Sequence, residues 1–200
     1  MINELIHAVA LADTPEQLVK AVQNLAAAKD VAAIPTLIAV FGYNNPTAAA
    51  IASAALVDLG EVAVPELLAQ IDDYNYGARA YSIRTLAAIA HPRALDVLVS
   101  AAATDFAPSV RRAAAKGLGR LHWDKLGVPE NQTAVQKALE TLFFISQDAE
   151  WSIRYAAIVG LQGLANLPDL QQPIHTRLQE ILATDNEKSV CARVLLALSQ

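Results

Sequence analysis

Asp105-Phe106-Ala107-Pro108-Ser109-Val110-Arg111 and Asp148-Ala149-Glu150-Trp151-Ser152-Ile153-Arg154 are two copies of one phrase. Asp73-x3-Gly77-Ala78-Arg79 and Asp185-x3-Ser189-Val190-Cys191 carry the same spacing, and each copy runs into an Ala-rich stretch that closes on leucine. Self-similarity of this kind marks a helical repeat array, whose stacked units offer an extended surface instead of enclosing one catalytic pocket.

The register extends in both directions, with closing leucines at Leu25, Leu56, Leu86, Leu118, Leu161 and Leu198 and spacings of 31, 30, 32, 43 and 37 residues. A two-helix unit fits these lengths. Each unit also carries a preceding apolar helix with proline near its start, as in Ile34-Pro35, Val64-Pro65 and His91-Pro92. Proline at the first helical position gives up an amide that has no intrahelical partner. The 43-residue interval holds Arg120 to Gln132, a breaker-rich stretch that reads as a loop insertion, and insertions in such arrays favour a functional face. The whole chain, residues 1–200, reads as a single repeat domain with a divergent N-terminal cap over 1–30.

Composition bounds the function. Hydrophobic residues make up 54% of the 200 and charged residues 18%, enough apolar material for a continuous core. No uncharged apolar span of about 18 residues reads as membrane-crossing. The opening Met1-Ile2-Asn3-Glu4-Leu5-Ile6-His7 lacks a basic n-region and a cleavage site, so a cytoplasmic setting is expected. One cysteine excludes an internal disulfide. A net charge of -5 without a Lys/Arg cluster argues against nucleic acid, which needs a concentrated positive stripe.

On a helical wheel centred on Val110, the residues Val110, Ala113, Ala114, Gly117, Leu118 and Leu121 share one face, expected to be buried. Arg112, Ala115, Lys116 and Gly119 share the other. Asp105 is placed to cap free amides ahead of the helix, worth about 0.5–2 kcal/mol. The recurrent Asp and Arg are read as a ladder between repeats, with direct ligand contact as the alternative. Carrying the outer face forward by one repeat gives Tyr155, Ile158, Val159 and Gln162, and by another Ala192, Leu195, Leu196 and Ser199. Apolar residues on a face that should meet solvent mark a binding surface, so Ile158, Val159, Leu195 and Leu196 are expected at a partner interface.

No spacing spells out catalysis. His7, His91, His122 and His175 are dispersed, without HExxH, paired Cys/His ligands or a Gly-rich phosphate loop. Cys191, in an apolar helix at an arginine position, reads as structural. What remains is aromatic and basic: Tyr74, Tyr76 and Tyr81 around Arg79 and Arg84, Phe106 near Arg111 and Arg112, Trp123 beside His122, and Trp151 and Tyr155 around Arg154. Rings with scattered guanidinium groups suit a flat conjugated ligand bearing carboxylates; the same residues at helical spacing also suit a core.

The wording of the repeats is itself informative. Asp73 to Ala90, His91-Pro92-Arg93-Ala94-Leu95-Asp96-Val97-Leu98 and Thr104 to Gly119 resemble the HEAT-like phycobilisome lyases of the E/F type, with most of the chain covered from Val31 onward. The length is similar to that of the F (β) subunits serving the phycocyanin α-subunit. The resemblance implies an all-α, right-handed α-solenoid of HEAT-like, armadillo-type repeats, about five to six units. It implies a lyase, active only with a homologous E-type partner, that joins phycocyanobilin by a thioether to the apo-phycocyanin α-subunit. Phycocyanobilin would be substrate, with no intrinsic cofactor and no metal. The acceptor supplies the thiol, so the lyase needs no nucleophile; holding and presenting the bilin suffices. His122 becomes the candidate proton donor. Trp123 would stack on the bilin or anchor the loop, while Tyr76, Arg79, Arg84, Arg112, Lys116, Trp151, Arg154 and Tyr155 become candidate bilin contacts. Related F-type subunits that also isomerise the bilin carry His-Cys where this chain has His122-Trp123, which favours simple attachment. A non-enzymatic adaptor of phycobilisome assembly or degradation shares the fold and stays open. Both readings place the chain in the cytoplasm, with phycobilisomes at the thylakoid surface.

Overall fold

A computed structural model of the chain describes residues 1–71 and 75–199. Asp73 and Tyr74 lie outside them. Among the described residues every regular element is an α-helix or a short 3-10 turn, and the chain divides into two compact units, Met1–Ile89 and Ala90–Gln200.

In the first unit, α1 (Ile2–Ala10), α3 (Ile34–Ala39) and α5 (Val64–Ala69) alternate with α2 (Pro15–Ala27), α4 (Pro46–Leu59) and α6 (Tyr76–Ile89). Helices α2, α4 and α6 pack successively on one another, and α1, α3 and α5 each lean on the following member of that row. The starts are set locally. Thr14 accepts from the Gln17 amide at 3.2 Å and Asn45 from the Ala48 amide at 3.0 Å, each followed by a proline that opens the helix. Pro35 and Pro65 lie in the first turns of α3 and α5, as expected.

The run Pro46–Ala69, 24 residues, is long and apolar enough to cross a membrane by length and composition, although Asp58, Glu61 and Glu66 keep it from being an uncharged span. The fold uses it differently. Gly60, at φ +74, breaks it into α4 and α5, a conformation that costs glycine little. Ala52 and Leu56 then lie wholly inside the unit. Between α4 and α6, Ser53 Oγ and Thr85 Oγ1 lie 2.7 Å apart, and the buried Thr85 also donates to the Tyr81 carbonyl at 2.8 Å.

In the second unit, α7 (Leu95–Thr104), α9 (Val128–Ile145) and α11 (Gln171–Thr184) alternate with α8 (Pro108–Leu118), α10 (Trp151–Leu164) and α12 (Lys188–Leu198). Helix α8 packs on α10, and α10 on α12. Pro92 opens a 3-10 turn, Pro92–Ala94, ahead of α7, and His91 Nδ1 caps it by accepting from the Arg93 amide at 3.2 Å. The 120–132 stretch folds as a 3-10 turn at Trp123–Lys125 followed by the first turn of α9.

Of the six closing leucines, Leu25, Leu56, Leu86, Leu118 and Leu161 are each at 0% exposure, and Leu198 is half-buried. The wheel of α8 needs correction. Val110, Ala114, Gly117, Leu118 and Leu121 are buried as expected and Ala113 is half-buried, but Ala115 and Gly119 of the opposite face are buried too. The reason is that α8 is covered twice, by α7 of its own pair and by α10 of the next. At that second contact the backbones meet. A Cβ on Gly160 would lie 2.5 Å from the Ala115 carbonyl oxygen, and Cβ atoms on Gly119 and Gly163 would collide with the backbones of Gly160 and Gly119 respectively. Small residues here permit close helix approach. The same double cover places Ile158 of α10 at 0% exposure, so Ile158 is core and not a partner contact.

Candidate functional site

The repeated aspartates and arginines form the expected ladder. Arg111 Nη2 donates to Asp148 Oδ2 at 2.6 Å, and Arg154 donates through Nε to Asp185 Oδ2 at 2.6 Å and through Nη2 to Asp185 Oδ1 at 3.0 Å. Each aspartate also closes the turn ahead of its own helix: Asp105, Asp148 and Asp185 accept from the amides of Ala107, Glu150 and Glu187 at 2.8, 2.9 and 2.9 Å. Asp148 and Asp185 thus each close the turn before a helix and receive the arginine of the preceding repeat, while the helix N-caps are Ala107, Glu150 and Glu187, so Asp105 closes the turn ahead of α8 and is not its N-cap. The hydrogen bond from Arg154 holds the Asp185 carboxyl below the ordinary carboxylate range, and the same bond pushes the Arg154 guanidinium up.

This geometry corrects the role expected for Arg154. Its guanidinium is engaged by Asp185 and by the carbonyls of Asp148 and Ala149, at 2.9 and 3.1 Å, so it is committed to the ladder and not offered to a ligand. The charged lining of the groove over this ladder, about 590 Å³, includes Arg154, paired with Asp185, and Arg177, paired with Glu180 and Ser146. Cys191 keeps the position of the missing arginine and donates its thiol to the Asp185 carbonyl at 3.2 Å, just as Arg154 donates to the Asp148 carbonyl one repeat earlier.

The remaining candidates fall into separate neighbourhoods. In the first unit, Tyr76 and Arg84 are exposed and Arg79 is half-buried, all on α6. Tyr81 stacks on the buried Phe41 with ring centroids 5.5 Å apart, and the Arg84 guanidinium carbon lies 5.8 Å from the Tyr81 ring centroid. In the second unit, Arg112 and Lys116 are one turn apart on α8, and Trp151, Tyr155 and Val159 succeed one another by single turns on the adjoining α10. Arg112 Nη1 donates to Ser152 Oγ at 3.0 Å, tying the two rows together. Trp151 is exposed, and Arg112, Lys116, Tyr155 and Val159 are half-buried. A basic edge beside an aromatic one can hold a flat, anionic molecule.

His122 and Trp123 part company. His122 is exposed; its backbone amide donates to the Ala90 carbonyl at 2.9 Å and its carbonyl accepts from the Lys125 amide at 3.1 Å. Trp123 is buried, and its carbonyl accepts from Asn131 Nδ2 at 2.9 Å. Of the two roles expected for Trp123, this burial selects loop anchor over open stacking wall. Leu195 and Leu196 of α12 are 56% and 49% exposed. Among the described residues no group of three His, Cys, Asp or Glu side chains could hold a metal ion.

Sequence reasoning missed Arg120, His175 and Arg193, which line one cleft of the second unit. They come from three elements with no common spacing, so no linear pattern announces them.

The comparisons with known proteins agree with this architecture. A family model described as HEAT repeats matches residues 64–141, and a designed armadillo repeat protein matches the whole chain at a TM-score of 0.56 with 14% identity, covering 99% of that protein, a likeness of fold alone. The stacked helix pairs and their ladder thus define a HEAT-class α-solenoid. The phycocyanobilin lyase subunit beta of Nostoc sp. (strain PCC 7120) is 84% identical over 100% of both chains, and the phycocyanin alpha phycocyanobilin lyase CpcF of Synechocystis sp. (strain PCC 6803) is 48% identical, with 98% and 92% covered. A chain in the solved complex of CpcE and CpcF of phycocyanin lyase from Nostoc sp. PCC7120 superposes at a TM-score of 0.81 with 86% identity, covering 84% of this chain and 99% of that one. The chain belongs to the family of phycocyanobilin lyase β subunits.

Proposed function

We propose that this chain is the β subunit of a heterodimeric phycocyanobilin lyase, which with a homologous E-type subunit attaches phycocyanobilin to a cysteine of the apo-phycocyanin α-subunit. The observation that carries the reading is the 84% identity, end to end, to a phycocyanobilin lyase β subunit. The reaction is an addition: the acceptor thiol adds across the bilin's ethylidene double bond, its sulfur forming the thioether and a proton ending on the neighbouring ring carbon. No group leaves, so the lyase must bind, orient and handle one proton. Proximity and orientation of this kind are worth several kcal/mol of barrier.

The exposed imidazole of His122 is the proton-handling candidate. The Arg112–Lys116 edge and the Trp151–Tyr155 edge are the candidate walls for the bilin, with Tyr76, Arg79 and Arg84 as the candidates of the first unit. Leu195 and Leu196 are the candidate subunit interface. Ala115 and Ile158 hold the same place in their repeats as Leu195, and both are covered by the next helix pair, whereas Leu195 is open. A helix pair of the E-type partner would continue the stacking there, beside Val159. The chain works in the cytoplasm, at phycobilisomes on the thylakoid surface.

The test is reconstitution: this chain, the E-type subunit, phycocyanobilin and apo-α-phycocyanin, followed by zinc staining of denaturing gels. A bilin that stays on the acceptor only when this chain is included supports the lyase. Attachment independent of this chain, with acceptor binding retained, makes it an adaptor instead.

A further inference from the structure

The cleft that holds Arg120, His175 and Arg193 lies in the second unit, where the C-terminal turns of α10 and α12 meet the first half of α11. Its volume is about 750 Å³, within the range of small-molecule sites. Val159, Ile174 and Leu178 give it an apolar wall, and among the described residues no aspartate or glutamate lines it. In a chain of net charge -5, two arginines and a histidine without an acid are a local reversal. Arg193 adds the decisive feature. Its Nε is buried and makes no hydrogen bond among the described residues, a position that costs free energy unless an acceptor enters. Arg193 also stands before the last turn of α12, so complementing that helix dipole does not account for it.

We propose that this cleft binds a carboxylate of an amphipathic small molecule and, resting on the lyase reading above, that the carboxylate is a propionate of the bilin. Arg193 receives it through its guanidinium, which turns to bring the unpaired Nε to the carboxylate, and the planar fork suits a planar carboxylate. Arg120 and His175 supply further donors at the mouth, and the Val159, Ile174 and Leu178 wall covers the adjoining pyrrole. Val159 joins the cleft to the Tyr155 row on α10, so a propionate held here leaves the rest of an extended tetrapyrrole along the aromatic edge.

The test uses the heterodimer and two probes, phycocyanobilin and its dimethyl ester, titrated by absorbance against wild type, Arg193→Gln and Arg120→Gln, with thermal melting as the fold control. The wild-type complex is expected to favour the free acid by on the order of tenfold, and both variants to lose that preference while still binding the ester. Arg120 is exposed, so its variant keeps the test valid should Arg193→Gln melt early. Attachment on zinc-stained gels from the same preparations separates the two readings. Normal attachment with an unchanged acid-over-ester preference in both variants overturns the cleft and leaves the lyase standing. Weakened subunit association with that preference intact assigns the arginines to an acidic side chain of a protein partner, which also overturns the proposal. No bilin binding and no attachment by wild type overturns both.

Discussion

Arg154 grips Asp185 with two parallel bonds, Nε to Oδ2 at 2.6 Å and Nη2 to Oδ1 at 3.0 Å, across the boundary between the last two helix pairs. The side chains of Arg154 and Asp185 are 18% and 7% exposed, so the pair is largely shielded from water, and two-point geometry strengthens it further. The conservative variants Asp185→Asn and Arg154→Lys should each lower unfolding stability by about 2 kcal/mol, measured in urea. A double-mutant cycle should return most of that loss as coupling. Simple additivity would make the ladder ornamental.

The same pair sets an acid limit. The hydrogen bond from Arg154 lowers the folded pKa of Asp185, so its stabilising contribution is fully present above the unfolded value of about 3.9 and is lost as pH falls through the folded value beneath it. Unfolding curves between neutral pH and pH 3 should show a wild-type decline that Asp185→Asn reproduces only in part. Identical slopes would contradict the assignment.

Gly160 and Gly119 let α10 lie directly on α8. Gly160→Ala puts a methyl 2.5 Å from the Ala115 carbonyl oxygen, an atom that cannot swing aside. A loss of at least about 2 kcal/mol is expected, read from thermal or urea unfolding.

Two apolar residues at one repeat position should behave oppositely. Leu195→Glu with Leu196→Glu should preserve helicity by circular dichroism and abolish copurification of the E-type subunit. Ile158→Glu should unfold the second unit, because a buried carboxylate without a partner is not tolerated.

His122 and Trp123 separate chemistry from scaffolding. His122→Ala should slow bilin attachment at unchanged melting temperature and unchanged subunit association. Trp123→Ala should cost about 3 kcal/mol of stability by opening a cavity beneath the loop. A wild-type attachment rate in His122→Ala would assign that side chain to the surface.

The helical repeat was legible in the sequence because its signals are local. Leucines at 30- to 43-residue spacing, prolines at helix starts and an aspartate six residues ahead of an arginine each reflect the geometry of one helix pair, and the pairing of Arg111 with Asp148 follows once the phrase is seen to recur. The family was legible for a similar reason, since the wording of Asp73 to Gly119 is more specific than the period. What a helix meets on its second side is not local. Ala115, Ile158 and Leu195 occupy one place in the repeat, yet only the stacking of α10 on α8 and α12 on α10 buries the first two and leaves the third exposed. For Arg154 the sequence leaves both a ladder and a ligand contact open, and only the tertiary structure, which brings Asp185 to it, decides for the ladder. Arg120, His175 and Arg193 were invisible, because a cleft assembled from three elements has no period, and only folding places their nitrogens around one space.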